Sequence, residues 1–473
     1  MSDQAPVIWW VRRDLRLGDN AALAAAAGSG RPVVPLFIHD ETVETLGAAA
    51  KWRLGEGVSA LGRALGERGS RLILRRGDAL GVLRRVVSET GAAEIIRSRA
   101  YDPAGLARDK AVEAGLDGIG IELRAVAGHL LFEPSTVETG QGGFYKVYTP
   151  YWKAVRGRDV PEPAPAPGLI PRPDFWPASD EIESWRMGAA LGRGAEVLAR
   201  HASVGEAAAQ GRLGAFVAHR IADYAERRDF PAAEATSGLS EHLSWGEISP
   251  RSCWHAGLRA MEDGKAGAET FLRELVWREF AWHLLWHSPH IAERNWREGW
   301  DNFPWSTDGD SPEATAWKRG RTGIPFVDAA MREMYVTGTM HNRARMVAAS
   351  WLTKNLMTHW RVGMDWFADH LTDWDPASNA MGWQWVAGSG PDAAPYFRIF
   401  NPETQAAKFD PDGAYRDAWI AEGRDTPAPG ALDYFDAIPR AWALSPEAAY
   451  PEPAVTPGAG RRRALAAYQA REG

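Results

Sequence analysis

One cysteine, Cys253, in 473 residues excludes a disulfide framework and any four-cysteine zinc or iron-sulfur centre built by this chain alone. A reducing cytoplasm is the compartment that fits. No apolar run approaches the roughly 20 residues a membrane helix requires, and no basic-apolar leader opens the chain, so a soluble protein with no membrane contact is expected. Excess positive charge is missing too: 54 Lys and Arg face 61 Asp and Glu, giving a net charge of -7 and a pI of about 6.0. A nucleic-acid-binding domain is normally basic, so such a role would need its base clustered on one face. After the first strand-like run there is no Gly-x-Gly-x-x-Gly, which removes the ordinary dinucleotide fingerprint. Repeats at solenoid spacing are absent as well.

Tryptophan, by contrast, is abundant. Its 23 copies lie well above a usual share of about 1–2%, and most must serve packing, because large aromatics dominate burial. The length is enough for about two to three domains. Val7-Ile8-Trp9-Trp10-Val11 is a strand-like run, an alanine-rich helix starts at Ala21, and further strand-like runs occupy residues 33–38, 72–74, 94–96 and 121–126. Helical patterns such as 51–65 and 79–89 separate them. This alternation predicts a parallel sheet wrapped by helices, which need not carry a ligand of its own. Pro161, Pro163, Pro165, Pro167, Pro171, Pro173 and Pro177 then break the pattern and mark a connector. From Val204 onward the periodicity is helical, over 207–226, 250–261, 268–287, 325–337, 341–358 and 365–371. The expected organisation is an α/β domain over 1–134, a connector over 135–203 and an all-helical domain over 204–473.

Polar groups collect where packing alone would not ask for them. Asn342 and Met346 share one face of a predicted helix, with Arg343 one step round. Asp373 and Asp375 lie close in sequence to Gly382-Trp383-Gln384-Trp385, a composition suited to a flat ligand with polar edges. Thr236-Ser237-Gly238-Leu239-Ser240 and Ser249-Pro250-Arg251 offer hydroxyls and backbone donors near helix starts, where phosphate oxygens bind, although taken alone such hydroxyls are more often plain helix caps. Glu274, Trp277 and Arg278 put an acid, an indole and a guanidinium on one helical face. A solvated salt-bridge face accounts for the charges but not for the indole.

These segments carry a family resemblance. Residues 10–20, 224–231 (Tyr-Ala-Glu-Arg-Arg-Asp-Phe-Pro), 236–251, 274–280, 323–346 and 379–410 closely resemble the photolyase/cryptochrome family. Trp383-Gln384-Trp385, followed by Asp392-Ala393-Ala394-Pro395-Tyr396-Phe397-Arg398-Ile399-Phe400-Asn401-Pro402, is the most specific match. The stretch Ala48-Ala49-Ala50-Lys51-Trp52-Arg53-Leu54 looks most like class III cyclobutane pyrimidine dimer photolyases. The resemblance implies a Rossmann-like parallel-sheet antenna domain followed by an all-helical FAD-binding domain.

Position by position, the resemblance places Tyr224, Thr236, Ser237, Gly238, Leu239, Ser240, Arg278, Arg345, Asp373, Asp375 and Asn379 around FAD. Arg345, paired with Asp373, would favour an anionic reduced flavin. Asn379 would face flavin N5, where plant cryptochromes tend to have an acid. Glu274, Trp277, Asn342, Arg343, Met346 and Trp385 match the catalytic pocket that receives a flipped-out dimer. Trp277 and Trp385 would stack on it, and Glu274 and Asn342 would hydrogen-bond the pyrimidines. Asn342 stands where (6-4) photolyases have histidine, and Met346 where the DASH group has glutamine. Trp383, Trp360 and Trp305 match the electron-transfer relay. Arg228, Arg398 and Gln405, together with Glu274, Trp277, Arg278, Asn342 and Arg343, match DNA-binding positions, and Lys153, Lys318, Arg319, Arg321 and Lys408 would extend a basic rim or form a solvated surface. No metal is implied. Ultraviolet-damaged DNA is the implied partner of a monomer without an obligatory protein partner.

Two departures stand out. Close relatives read Asn-Asn-Gly-Gly-Trp where this chain has Asn379-Ala380-Met381-Gly382-Trp383, which bears on packing and redox tuning beside the flavin. Around residues 97–103 the motif of the usual bacterial folate pocket is not evident, so a second antenna chromophore is expected to be a folate held in the class III manner rather than a deazaflavin. The competing expectation is a cryptochrome-like blue-light photoreceptor. The amide at Asn379 and a chain ending soon after a helical 461–471 segment favour repair.

Overall fold

The computed structural model describes residues 5–392 and 397–472. Five parallel strands, β1 (Val7–Val11), β2 (Val33–His39), β3 (Ile73–Arg76), β4 (Glu94–Ser98) and β5 (Glu122–Val126), form one sheet in the order β3-β2-β1-β4-β5. β1 and β2 are buried along their whole length, which is why they read as unbroken apolar runs. Pro35 is tolerated in β2 because the ladder to β3 begins one residue later, at Leu36. The helix Pro103–Asp117 escaped the sequence reading. Its buried face includes Asp109, which ion-pairs with Arg12 and Arg97, and a charge at a core position hides the helical period.

Helices Ala268–His287 and Pro325–Thr337 have the expected bounds. The run expected over 207–226 is broken: Glu206–His219 ends, a 3-10 turn Ile221–Asp223 follows, and Tyr224–Arg227 resumes. Gly267 explains the break. A Cβ there would lie 2.1 Å from the Ile221 carbonyl oxygen and 3.0 Å from Tyr224, so the chain turns to seat against it. The run expected over 341–358 is also shorter, with the helix Asn342–Ser350 widening into a π-turn at Trp351–Asn355. The next helix, Trp360–His370, starts earlier than the expected 365 because His359 caps it. A further helix, Pro376–Ala387, carries Asn379, Trp383 and Trp385.

Within residues 135–203 lie the helices Tyr148–Val155 and Gly194–His201, and the proline-rich part between them runs along the sheet. Pro171 accepts from the Val33 amide at 2.7 Å, and Leu74 accepts from the Asp180 amide at 2.8 Å. The sheet region is locked to the helical region by charge. Arg53, on the helix Ala48–Glu67, is wholly buried and donates to both oxygens of Glu247 at 2.8 and 2.6 Å, with His242 Nδ1 at 2.5 Å from the same carboxylate. Arg13 reaches the Ser244 and Trp374 carbonyls at 3.1 and 3.0 Å. Gly246 is required where these parts meet: its φ is +69°, and a Cβ would fall 2.1 Å from the Arg13 carbonyl oxygen. Among the described residues no helix is long and apolar enough to cross a membrane.

Candidate active site

The loop before the helix Ser240–Trp245 offers donors with nothing to bind. The amides of Ser237, Gly238, Leu239 and Ser240 donate to no acceptor among the described residues, and the hydroxyls of Thr236, Ser237 and Ser240 are likewise unpaired there. Gly238 takes φ +64°, with its carbonyl held by Arg212 at 3.0 Å. Tyr224 is buried beside this loop's supporting helices, edge-on to Phe216 at 5.3 Å. Arg345 pairs with Asp373 at 2.8 Å and is fixed by the Met340 carbonyl at 2.7 Å. The other Asp373 oxygen, Oδ1, is buried without a partner, an acceptor that the polar edge of a bound molecule would satisfy.

Asn379 donates to the Met364 carbonyl at 3.0 Å, which fixes its amide. Gly382, on the same helical face, opens onto free space, since a Cβ there meets nothing within 4 Å. This combination of unpaired donors, an orphan acceptor and open space fits an FAD with its diphosphate near 236–240. Two other positions matched to FAD have protein duties. Asp375 caps the helix Pro376–Ala387 through the Ser378 amide at 2.8 Å and accepts from Trp282 Nε1 at 3.0 Å. Arg278 turns toward the sheet region, bonding Glu279 at 2.9 Å and His129 at 2.9 Å.

The dimer-pocket positions converge through residues that sequence reading passed over. Trp277 stacks on Tyr148 at 3.7 Å and 6°. The Tyr148 amide donates to the Asp392 carboxylate at 3.3 Å, and the Asp392 carbonyl accepts from Trp385 Nε1 at 2.9 Å, so one residue ties the two indole walls. Asp392 stands at φ +52°, a conformation held by these contacts. The Asn342 amide meets Met346 Sδ at 3.9 Å, as the shared face required.

Ion pairs line the same face. Glu274 pairs with Arg228, and Arg343 with Asp229 at 2.7 Å. Burial pushes the His341 imidazole down to about 4, so it is neutral at pH 7. Its Nδ1 accepts from the Arg343 amide at 3.1 Å, which puts the ring proton on Nε2, and that group donates to the Arg228 carbonyl at 3.0 Å. One histidine thus joins the two arginines. Arg343 also lies 4.3 Å above the Phe409 ring, on the helix Pro402–Phe409 that carries Gln405, whose buried Oε1 has no partner. Arg398 lies over Phe400, itself 6.5 Å from Trp385. Of the suggested basic rim, Lys318 pairs with Asp310 at 3.6 Å, Arg321 with Glu422 at 3.0 Å, and Arg319 covers Trp442. Their charge is already engaged. The Ala393-Ala394-Pro395-Tyr396 part of the motif lies outside the described residues.

The three relay tryptophans are buried in one region. Trp383 packs on Gly363, where a Cβ would come within 2.0 Å of the indole, and Trp360 lies one helical turn before that glycine. His359 then bridges the Trp360 ring at 5.2 Å and the Trp305 ring at 5.4 Å. Trp305 is 8% exposed and stacks on Trp300 at 5.5 Å. A separate cleft of about 180 Å³ opens at the carboxyl ends of the strands, among Trp10, Arg12, Tyr101, Asp102, Arg108 and His129, the position where open α/β sheets bind ligands.

The protein-family model described as DNA photolyase matches residues 7–168, and that of the FAD binding domain of DNA photolyase matches residues 271–470. A deoxyribodipyrimidine photo-lyase of Agrobacterium fabrum is 45% identical over 98% of both chains. This chain belongs to the DNA photolyase family. Among solved structures, a class III photolyase from Agrobacterium tumefaciens superposes with a TM-score of 0.91 at 43% identity, covering 100% of this chain and 98% of that one. The class III likeness read from residues 48–54 agrees with this neighbour. A photolyase from Sulfolobus tokodaii with two FAD molecules reaches a TM-score of 0.79 at 29% identity, covering 98% of this chain and all of that one. A Synechocystis cryptochrome reaches 0.83 at 27%, covering 98% and 99%.

Proposed function

We propose that this chain repairs cyclobutane pyrimidine dimers in DNA, driven by light that its bound, reduced FAD absorbs. The observation that carries this reading is the pair of indole walls, Trp277 and Trp385, tied through Tyr148 and Asp392 beside the flavin cradle. When bound, FAD supplies an electron to the dimer on excitation and recovers it after the cyclobutane ring has split. The chain's residues receive and orient the substrate. A dimer is badly stacked in its duplex, so extruding it costs less than the few kcal/mol of flipping a normal base. Trp277 and Trp385 stack on it. Asn342 donates to a pyrimidine carbonyl, where negative charge gathers, while a Glu274 carboxyl oxygen accepts a ring N–H.

Arg228 and Arg343 exchange their carboxylate partners for DNA phosphates, with Arg398 and Gln405 beside them. Arg345, Asp373 and Asn379 would hold the edge of the bound flavin. Trp305, Trp360 and Trp383 would form the path for electrons from the surface to the bound flavin. The cleft at the strand ends takes a second, light-gathering chromophore, a folate rather than a deazaflavin, its flat pterin laid on the aromatic wall, while the Arg12 and Arg108 guanidinium groups are engaged by Asp109 and Asp40. The protein acts as a monomer in the cytoplasm, consistent with its single buried cysteine.

The test is loss of dimers from ultraviolet-damaged oligothymidylate, followed by recovery of thymine absorbance after the flavin has been photoreduced. Dimer loss in blue light and none in darkness is expected. A flavin that photoreduces while dimers persist in both conditions would overturn repair and leave the photoreceptor reading.

A further inference from the structure

Behind Trp385 lies a cavity of about 280 Å³ whose lining is strongly one-sided in charge. Arg297, Lys354, Arg398 and Arg471 contribute four cations, and no carboxylate lines it among the described residues. Trp300, Phe397 and Tyr468 supply a wall of rings: Phe397 and Tyr468 stack at 4.6 Å and 8°, and the Arg471 guanidinium sits 4.5 Å over Trp300. Lys354 is the most telling group. It is 2% exposed and sits in the π-turn Trp351–Asn355, with its ammonium directed to the Arg398 carbonyl and 4.6 Å over the Phe397 ring. Among the described residues no carboxylate pairs with it.

A buried ammonium without a counter-ion is costly, and a protein normally pairs or neutralises it. Burial, and then the neighbouring Arg398, lower Lys354 to about 7. Arg297 and Arg398 also lack carboxylate partners among the described residues. A group of cations beside stacked rings is the chemistry that holds a phosphate with its sugar or base. The volume is close to the lower bound of about 300 Å³ for ligand pockets, small enough for one nucleotide unit and too small for a second flavin. Continuity indicates the source of that phosphate, because Trp385 belongs to both this cavity and the proposed dimer pocket, and Arg398 is among the DNA-facing positions.

We propose that this cavity is an anchoring subsite for a nucleotide of the damaged DNA outside the dimer, its phosphate held by Arg297 and Lys354 and its sugar or base laid on the Phe397 and Trp300 side. The inference rests on the repair reading above. The dimer pocket would then grip one face of the Trp385 wall and this subsite the other, which widens the footprint on DNA without any contact to the reacting bond.

The test uses the full chain with its flavin, as wild type, Arg297→Gln and Lys354→Met, binding three probes: a dimer-bearing duplex, the same strand alone, and a dimer dinucleotide lacking flanking phosphates. Arg297 is exposed, so its replacement keeps the test sound if Lys354→Met folds poorly. Each variant is expected to bind the duplex more weakly than wild type with a log-log salt slope shallower by about 1, so that its deficit is roughly threefold larger at 50 mM than at 200 mM salt. Binding and repair of the dinucleotide should stay unchanged. A loss confined to the duplex places the phosphate on the complementary strand, and an equal loss on the single strand places it on the dimer strand; either supports the subsite. Unchanged duplex affinity and slope in Arg297→Gln, or an equal loss on the dinucleotide, would overturn it. Should the wild type fail to prefer dimer-bearing DNA at all, the repair reading itself fails, which is a distinguishable result.

Discussion

Two sets of ion pairs in this protein share a chemistry and differ in burial. Arg53–Glu247 and Arg332–Glu422 have side chains with no exposed surface on either partner. Arg228–Glu274 and Arg343–Asp229 leave their acids 33% and 36% exposed. The first set cannot release a partner without stranding a charge in a medium that solvates it poorly. The second can, because its acids reach water and its arginines are those proposed to meet DNA phosphates. Burial therefore separates pairs that hold the fold from pairs proposed to exchange their acids for DNA phosphates.

The largest expected effect lies in the buried set. Burial alone raises the Glu247 carboxyl, but hydrogen bonds from Arg53 and His242 bring it down to about 2. A carboxyl depressed in the folded state stabilises above its unfolded value, about 4.3, and loses that contribution as pH falls through about 2. Glu247→Ala should remove about 3–5 kcal/mol, visible as a lower denaturation midpoint and as disappearance of the acid-sensitive phase between those two pH values. In the pocket, Trp277→Ala should weaken binding of a dimer-bearing oligonucleotide by about 1–3 kcal/mol, the value of one stacking surface, with thermal stability changed far less than for Glu247→Ala. Binding isotherms at fixed salt measure it.

Met381 should matter less than its sequence neighbourhood suggests. It is two residues from Asn379 and so faces away from it around the helix, packing instead against the core of the helical region. Met381→Gly is expected to cost about 1 kcal/mol in helix propensity plus lost packing, while the rate of flavin photoreduction, read by absorbance, stays the same. The smallest effect belongs to Lys318→Ala. Its charge is already engaged by Asp310 and the Trp366 ring, so DNA affinity should move by less than about 0.5 kcal/mol.

The same division governs what sequence made legible. The sheet was readable because β1 and residues 33–38 of β2 are apolar throughout, and the helix Ala268–His287 because Phe271, Leu272, Leu275 and Val276 recur at helical spacing in its first half. Pro103–Asp117 was not, since the buried Asp109 answers arginines from other elements. In the site, spacing alone paired Asn342 with Met346, and motif resemblance supplied Glu274, Trp277 and Trp385. Tyr148 and the tautomer of His341 were invisible, and Asp229 and Asp392 stood inside matched motifs without a role, because each acts through a partner more than 100 residues away or through a main-chain contact that no motif encodes. The break at residues 220–224 likewise depends on a glycine in a distant helix start.

The most direct test of the distinction between the two sets is Asp229→Asn, followed by thermal melting and by titration with dimer-bearing duplex at several salt concentrations. Release of Arg343 from its carboxylate should leave the melting temperature within about 2 °C of wild type, as for a half-exposed pair, and strengthen DNA binding because one competitor for the guanidinium is gone. A melting temperature lowered as far as that of Glu247→Ala, with DNA binding weakened in parallel, would contradict the exchangeable pair and place Arg343–Asp229 with the contacts that hold the fold.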